Sequence, residues 1–211
     1  MSAAERARTP EFLAGLVEAV DAVDIGRANR LGSTTHVSVL DADGWACAVT
    51  SSNGEGSGVV VPGSGIHLNN VLGEEDLSPF GFHRQHPGVR LPSMMAPTAV
   101  LRDGVAELVA GSAGSNRIRS AVLQVIVNVL DRGMTAQEAV DAPRLHLDGA
   151  ELYAEPGVAD LAATGLPVTT FRAPNLFFGG CQAVARHPVT GALSGGADAR
   201  RGGAVRLATG S

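Results

Sequence analysis

Two short runs of alternating residues bracket a four-residue turn: "HVSVLD" and "WACAVTS" stand on either side of Asp41-Ala42-Asp43-Gly44. Period-two alternation places successive side chains on opposite faces of a strand, and Asp-Gly supplies the backbone for a tight reversal, so this stretch predicts a β-hairpin. The pattern recurs in "AVLRDGVAELVAG", with Asp103-Gly104 at the bend. Two such hairpins, separated by a non-periodic stretch and followed by helical periodicity, restrict the chain to an α+β arrangement built on antiparallel sheet.

The helices are marked by caps and by faces. Thr9-Pro10-Glu11 opens one helix, with Phe12, Leu13, Leu16, Val17, Val20 and Val23 on one broad face. A second is expected from about Asn116 to Arg132, with Ile118, Val122, Val125, Ile126, Val129 and Leu130 on its apolar side and Gly133 at its end. Thr135-Ala136-Gln137-Glu138 matches a capping box opening a short helix that Pro143 stops. Strands are expected at "LYAEP", "PVTTF", "CQAVARH" and "GGAVRL". Between the hairpins, Asn53 to Ser93 is polar and glycine-rich, a loop long enough to expect a job of its own.

Composition sets outer limits. The 211 residues suit one ordinary domain, and 45% hydrophobic against 18% charged is a globular balance. A net charge of −5, with no concentrated Lys/Arg face, argues against nucleic acid as a partner. No apolar run approaches the ~18 residues that span a bilayer, and "MSAAERARTPEF" lacks the apolar stretch of a signal peptide, so a cytoplasmic chain is expected. Cys47 and Cys181 have neither metal nor redox spacing and are expected as buried structural thiols.

Common catalytic signatures are missing. No serine sits in a Gly-x-Ser-x-Gly elbow, and "GEGSG" lacks both the Lys-Ser/Thr and the strand-to-helix setting of a phosphate loop. His83 and His86 in "HRQH", near Glu74-Glu75-Asp76, match no metal-ligand scaffold, so neither metal nor cofactor is expected.

Thr34-Thr35-His36 at the mouth of the first strand admits two readings. Threonine is β-branched and suits a strand. Alternatively the chain is cut before Thr34, so that a freed α-amine, titrating near ~8, takes the proton of the threonine's own hydroxyl.

The wider sequence bears on the choice. "STTHVSVLDADGWACAVTSSNGEGSGVVVPGSGIHLNNVLGEED" closely resembles the small-subunit core of the gamma-glutamyltransferase (gamma-glutamyltranspeptidase) family of N-terminal nucleophile hydrolases. So do "RLPSMMAPTAVLRDG", "LVAGSAGSNRIRSAVLQVIVNVLDRGMTAQEAVDAPRLH" and "GGADARRGGAV", in the same order. The resemblance implies α-β-β-α layers and self-cleavage at Ser33–Thr34. It also implies acyl transfer from glutathione or a related gamma-glutamyl donor to water or to an amine acceptor, through a Thr34 acyl-enzyme.

The resemblance also implies a role for each matching position, and the following are expectations drawn from it. Ser52 supports the nucleophile and its amine. Asn53 and Glu74 hold the donor's α-amino group, and Ser93 its α-carboxylate. The N–H groups of Gly114 and Ser115 form the oxyanion hole, or they cap the following helix, or both. His36 is expected to pack as a strand residue, and Asn69-Asn70 to secure loop backbone.

The likeness has departures. Pro92 stands where the family often has a second serine, Ser115 replaces a glycine, and the segment after Thr50 is short. Only 33 residues precede Thr34, where the family has a large subunit with a carboxylate-clamping arginine. Residues 1–33 are therefore expected as a large-subunit or propeptide remnant and 34–211 as the catalytic domain. An exposed apolar surface should favour a large-subunit partner or self-association. The alternative is a non-catalytic fragment or partner subunit that keeps the fold.

Overall fold

A computed structural model describes residues 34–208. The expected segment 1–33, with the helix expected from Thr9-Pro10-Glu11 onward, lies outside that range. Two units are distinguished: one holds Thr34 and residues 52–92, the other residues 35–51 and 93–208.

The larger unit is organised around an antiparallel sheet in the order β3-β4-β8-β9 (Thr98–Arg102, Val105–Ala113, Gly180–Arg186, Leu193–Ala197). β3 and β4 turn at Asp103-Gly104 as expected, and both residues adopt positive φ there, which an Asp-Gly pair tolerates. β4 is buried from Ala106 to Ala113, so both of its faces are covered.

On one face lie α1 (Ile118–Leu130) and α2 (Ala136–Asp141). Leu108 and Ala110 of β4, Cys181, Ala183 and Ala185 of β8, Val125 of α1, and Ala136, Ala139 and Val140 of α2 form the core. Burying each larger side chain here contributes about 1.5–3 kcal/mol. The core is rich in alanine, which lets helix and sheet approach closely. α2 opens on the expected capping box: Thr135 Oγ1 accepts from Glu138 N–H, and the Glu138 carboxylate accepts from Thr135 N–H at 2.8 Å. α1 begins later than its periodicity suggests, because a 3₁₀ turn, Ser115–Arg117, precedes it.

The other face of β4 meets the first hairpin, β1 (Thr34–Leu40) and β2 (Ala46–Ser52). A Cβ at Gly111 would overlap the His36 imidazole, and Ser38 Oγ donates to Gln182 O at 3.2 Å. The helices, the four-stranded sheet and the hairpin thus make an α-β-β succession. The hairpin turns polar side chains (His36, Ser38, Thr50) inward and leaves Val37, Val39 and Val49 exposed, at 54%, 48% and 51%.

This inversion overturns the expectation for Cys47. It lies on the outward register with Val49 and is exposed, whereas Cys181 is buried. A second correction concerns "GGAVRL", which is not a strand. The edge strand is instead β9, and residues 202–207 follow a 3₁₀ turn (Ala199–Arg201) closed by Gly202 at φ 63. Asp198 accepts Arg200 N–H at 2.9 Å and favours that turn over an extended chain.

A third sheet, β5-β6-β7 (Leu145–Asp148, Glu151–Ala154, Val168–Thr170), pairs β5 with β6 antiparallel and β6 with β7 parallel. Among the described residues no helix is long and apolar enough to cross a membrane.

The smaller unit is nearly free of regular structure. A bridge between Val60 and His67 and two 3₁₀ turns, Val71–Gly73 and Glu75–Leu77, organise it. Asn70 is its brace: Oδ1 accepts from Glu55 N–H at 2.9 Å and Gly56 N–H at 3.2 Å, while Asn69 Oδ1 accepts from Val71 N–H. Both asparagines secure loop backbone, as their positions suggested.

Candidate active site

In the smaller unit Thr34 Oγ1 lies 2.8 Å from Ser52 Oγ. Ser52 Oγ also accepts from Gly54 N–H at 2.9 Å, which fills one of its lone pairs and fixes its direction. Gly54 has φ +69, and a Cβ there would overlap Glu74 Oε1 and Asn70 Oδ1. Only glycine lets the Glu74 carboxylate sit against this turn. Thr34, Ser52, Gly54 and Glu74 therefore form one connected cluster.

The cluster carries excess negative charge. Partial burial pushes the Glu74 carboxyl up, and Glu55 and Asp76 push it in the same direction. Such a group gains most from a neighbouring cation. Asn53 lies alongside, but its Nδ2 donates to His67 O at 3.3 Å and its carbonyl accepts from Gly56 and Asn70. In this structure it braces the loop.

The remaining expected site residues belong to the larger unit. Ser93 is exposed, and its Oγ accepts from Met95 N–H at 3.2 Å in a local turn. Gly114 (φ 137) and Ser115 (φ 56) form the corner between β4 and the 3₁₀ turn, and Gly114 O accepts from Arg117 N–H. This corner requires glycine-like backbone at two successive residues, and only the first is glycine. A Cβ on Gly114 would lie 2.7 Å from Gly179 Cα.

His36 is buried and fully partnered. Ser38 Oγ donates to Gln182 O, so it accepts from His36 Nε2–H at 2.9 Å, and His36 Nδ1 then accepts from Thr50 Oγ1 at 2.7 Å. Desolvation holds its pKa below the ordinary histidine value, so the ring is neutral in this setting. Its ring packs on Gly111 of β4, and its partner Ser38 links the hairpin to β8 through Gln182 O.

Sequence reasoning missed a cluster of buried charges. Arg144 and Asp198 pair at 2.7 Å, and Arg200 bridges Asp198 to Glu155 at 3.3 and 2.5 Å. Of these four, Arg144 falls in the block ending "DAPRLH" and Asp198 and Arg200 in "GGADARRGGAV", but the sequence assigns them no role there. Among the described residues no cluster of three or more His, Cys, Asp or Glu is arranged to hold a metal ion.

Two β-layers, one of them covered by helices, with a threonine at the start of the first strand, fit the N-terminal nucleophile hydrolase class. Three of its four expected α-β-β-α layers lie among the described residues. The comparisons narrow this. Residues 5–208 match the Gamma-glutamyltranspeptidase family, and the chain belongs to it.

The glutathione hydrolase proenzyme of Escherichia coli K12 is 42% identical over 125 residues, which is 54% of this chain and 22% of that protein. The Acylase ACY 1 proenzyme of Pseudomonas sp. strain SE83 is 37% identical over 169 residues, 78% of this chain and 30% of that protein. The chain thus spans less than a third of the length of either relative. Among solved structures, the gamma-glutamyltranspeptidase from Pseudomonas nitroreducens complexed with L-DON superposes with a TM-score of 0.68 at 30% identity. That likeness covers 83% of this chain and 100% of the other.

Proposed function

We propose that this chain is the nucleophile-bearing part of an enzyme that transfers or hydrolyses gamma-glutamyl groups. The observation carrying the reading is the 2.8 Å approach of Thr34 Oγ1 and Ser52 Oγ in a chain of this family. Cleavage of the Ser33–Thr34 bond frees the Thr34 amine. In this scheme Ser52 Oγ, which accepts from Gly54 N–H, donates its own proton to Thr34 Oγ1. Thr34's own proton passes to its amine as Oγ1 attacks the donor's γ-carbonyl.

The N–H groups of Gly114 and Ser115 carry the oxyanion role, which typically accounts for ~10²–10³ in rate. Collapse of the tetrahedral intermediate expels the donor's amine, which takes the proton from the Thr34 ammonium and leaves an ester on Thr34. Water or an amino-acid or peptide amine then attacks that ester, and Oγ1 recovers its proton. Glutathione fits as donor because its γ-glutamyl end carries an ammonium for Glu74, beside Glu55 and Asp76. Ser93 is assigned to the donor carboxylate and Asn53 to the α-amino end, both by family likeness.

A large subunit is the proposed partner, docking on the outward Val37, Val39 and Val49 face. Its absence would leave the alternative, a fold-retaining but inactive fragment. The acylase relatives support a second reading, in which the acyl group transferred is not a gamma-glutamyl group.

Intact mass followed over time, beside Thr34→Ala, tests the proposal. Loss of the first 33 residues in the parent alone, with release of aniline from a gamma-glutamyl anilide, is the expected result. The assay is run with and without a candidate large subunit. A glutaryl anilide separates the acylase reading, since Glu74→Gln should slow only the substrate that has an ammonium. No cleavage under either condition overturns the enzyme reading.

A further inference from the structure

Four consecutive backbone carbonyls of the larger unit each accept from an arginine. Leu176 O accepts from Arg201 Nη2 (3.5 Å), Phe177 O from Arg117 Nε (3.1 Å), and Phe178 O and Gly179 O from Arg144 Nη1 (3.2 and 3.3 Å). Side-chain carboxylates secure the ends of the same segment. Glu155 Oε1 accepts from Asn175 N–H at 2.9 Å and Asp198 Oδ2 from Cys181 N–H at 2.8 Å.

Those carboxylates are themselves held by Arg200 and Arg144, so Glu155, Arg200, Asp198 and Arg144 form a buried series of alternating sign. Arg144 and Asp198 are 2% and 0% exposed. Buried ion pairs are weak contributors to stability, and in some proteins they serve to specify a single geometry. Here the geometry specified is that of Asn175–Cys181.

What that segment touches gives the arrangement its meaning. Gly179, at φ +79, packs on the Gly114 corner so closely that a Cβ on Gly179 would lie 2.7 Å from Ala113 O and 2.9 Å from Ser112 Oγ. A Cβ on Gly114 would in turn meet Gly179 Cα. Arg117, at the end of the Ser115 turn, returns to the segment through Phe177 O and stacks 4.8 Å over the Phe177 ring.

We propose that Asn175–Cys181, clamped by Arg144 and Arg117, is the template that sets the direction of the Gly114 and Ser115 N–H groups. This rests on the oxyanion role proposed for that pair. Arg144 and Arg117 act through the segment and are positioning residues. An oxyanion donor must be preorganised, so a loosened corner loses rate while ground-state donor binding persists.

Arg144→Lys keeps the charge beside Asp198 but loses the reach to two carbonyls, and Arg117→Gln releases the other side of the clamp. Amide exchange is measured first, in the full chain. Residues 112–117 should exchange at least ~10-fold faster in either variant, while α1 residues 121–130 stay unchanged.

With gamma-glutamyl anilide, kcat should fall ~10–100-fold at a KM within about twofold. Unchanged exchange over 112–117 in variants whose 175–181 segment has loosened overturns the template, as does a rise in KM at constant kcat. If Arg144→Lys fails to unfold cooperatively, Arg117→Gln decides alone. If the parent has no turnover, the proposed activity fails while the exchange result still decides the template.

Discussion

Thr34 Oγ1 and Ser52 Oγ face each other at 2.8 Å, and Ser52 is oriented by Gly54 N–H. Ser52→Ala removes a hydrogen bond to the proposed nucleophile while leaving the turn residues in place. Losing ~1.5–3 kcal/mol of such support corresponds to ~10–100-fold in rate. Self-cleavage and anilide turnover should both slow by that factor, followed by intact mass and by absorbance. Parental rates in Ser52→Ala would remove Ser52 from the mechanism.

The two thiols should differ sharply in reactivity. Cys47 is exposed on the outward face of the hairpin. Cys181 lies in the core, where burial pushes its thiol up to about 12, so it holds almost no thiolate at neutral pH. Iodoacetamide should add one label to the folded chain, mapping to Cys47 by peptide mass, and two after denaturation. Labelling of Cys181 in the folded chain would contradict the core packing.

Ser115 sits at φ 56, a conformation in which its Cβ crowds the backbone. Ser115→Gly relieves this and preserves the N–H, partly offset by the greater freedom of glycine when unfolded. A gain of about 0.5–1 kcal/mol in denaturant unfolding is expected, with turnover retained. A loss of stability would mean that the serine hydroxyl matters more than the strain.

His36 links acidity to stability. Its pKa is lowered in the fold, chiefly by desolvation, and the unfolded chain titrates near ~6.5. Above ~6.5 both states hold a neutral ring and nothing is lost. As pH falls below that, the unfolded state binds the proton first, so stability declines until the folded pKa is passed. His146 is lowered as well, again mainly by desolvation, and adds to the same slope. His36→Asn should flatten the decline that begins below about pH 6.5, read from urea midpoints. An unchanged slope would show that His36 does not titrate differently in the fold.

The local pattern of residues determined much of this protein. Alternation around Asp41–Gly44 and Asp103-Gly104 set the two hairpins, the Thr135/Glu138 box set the start of α2, and the ordered motifs from Ser33 to Val205 set the family. These are short-range signals, carried by turn chemistry and caps within a few residues. Which face of each strand is covered is not local. Cys47 reads as buried from its apolar run, yet the polar face of β1 and β2 turns inward because His36 and Ser38 find partners on β2, β4 and β8.

"GGAVRL" looks like a strand, but Asp198 and Gly202 bend the chain first. The series of Glu155, Arg200, Asp198 and Arg144 joins residues up to 54 positions apart (198 − 144), and its meaning lies in carbonyls that any sequence would possess. Sequence records side chains and their spacing. The burial that makes a charge need one particular partner arises only once the sheet and helices close around it.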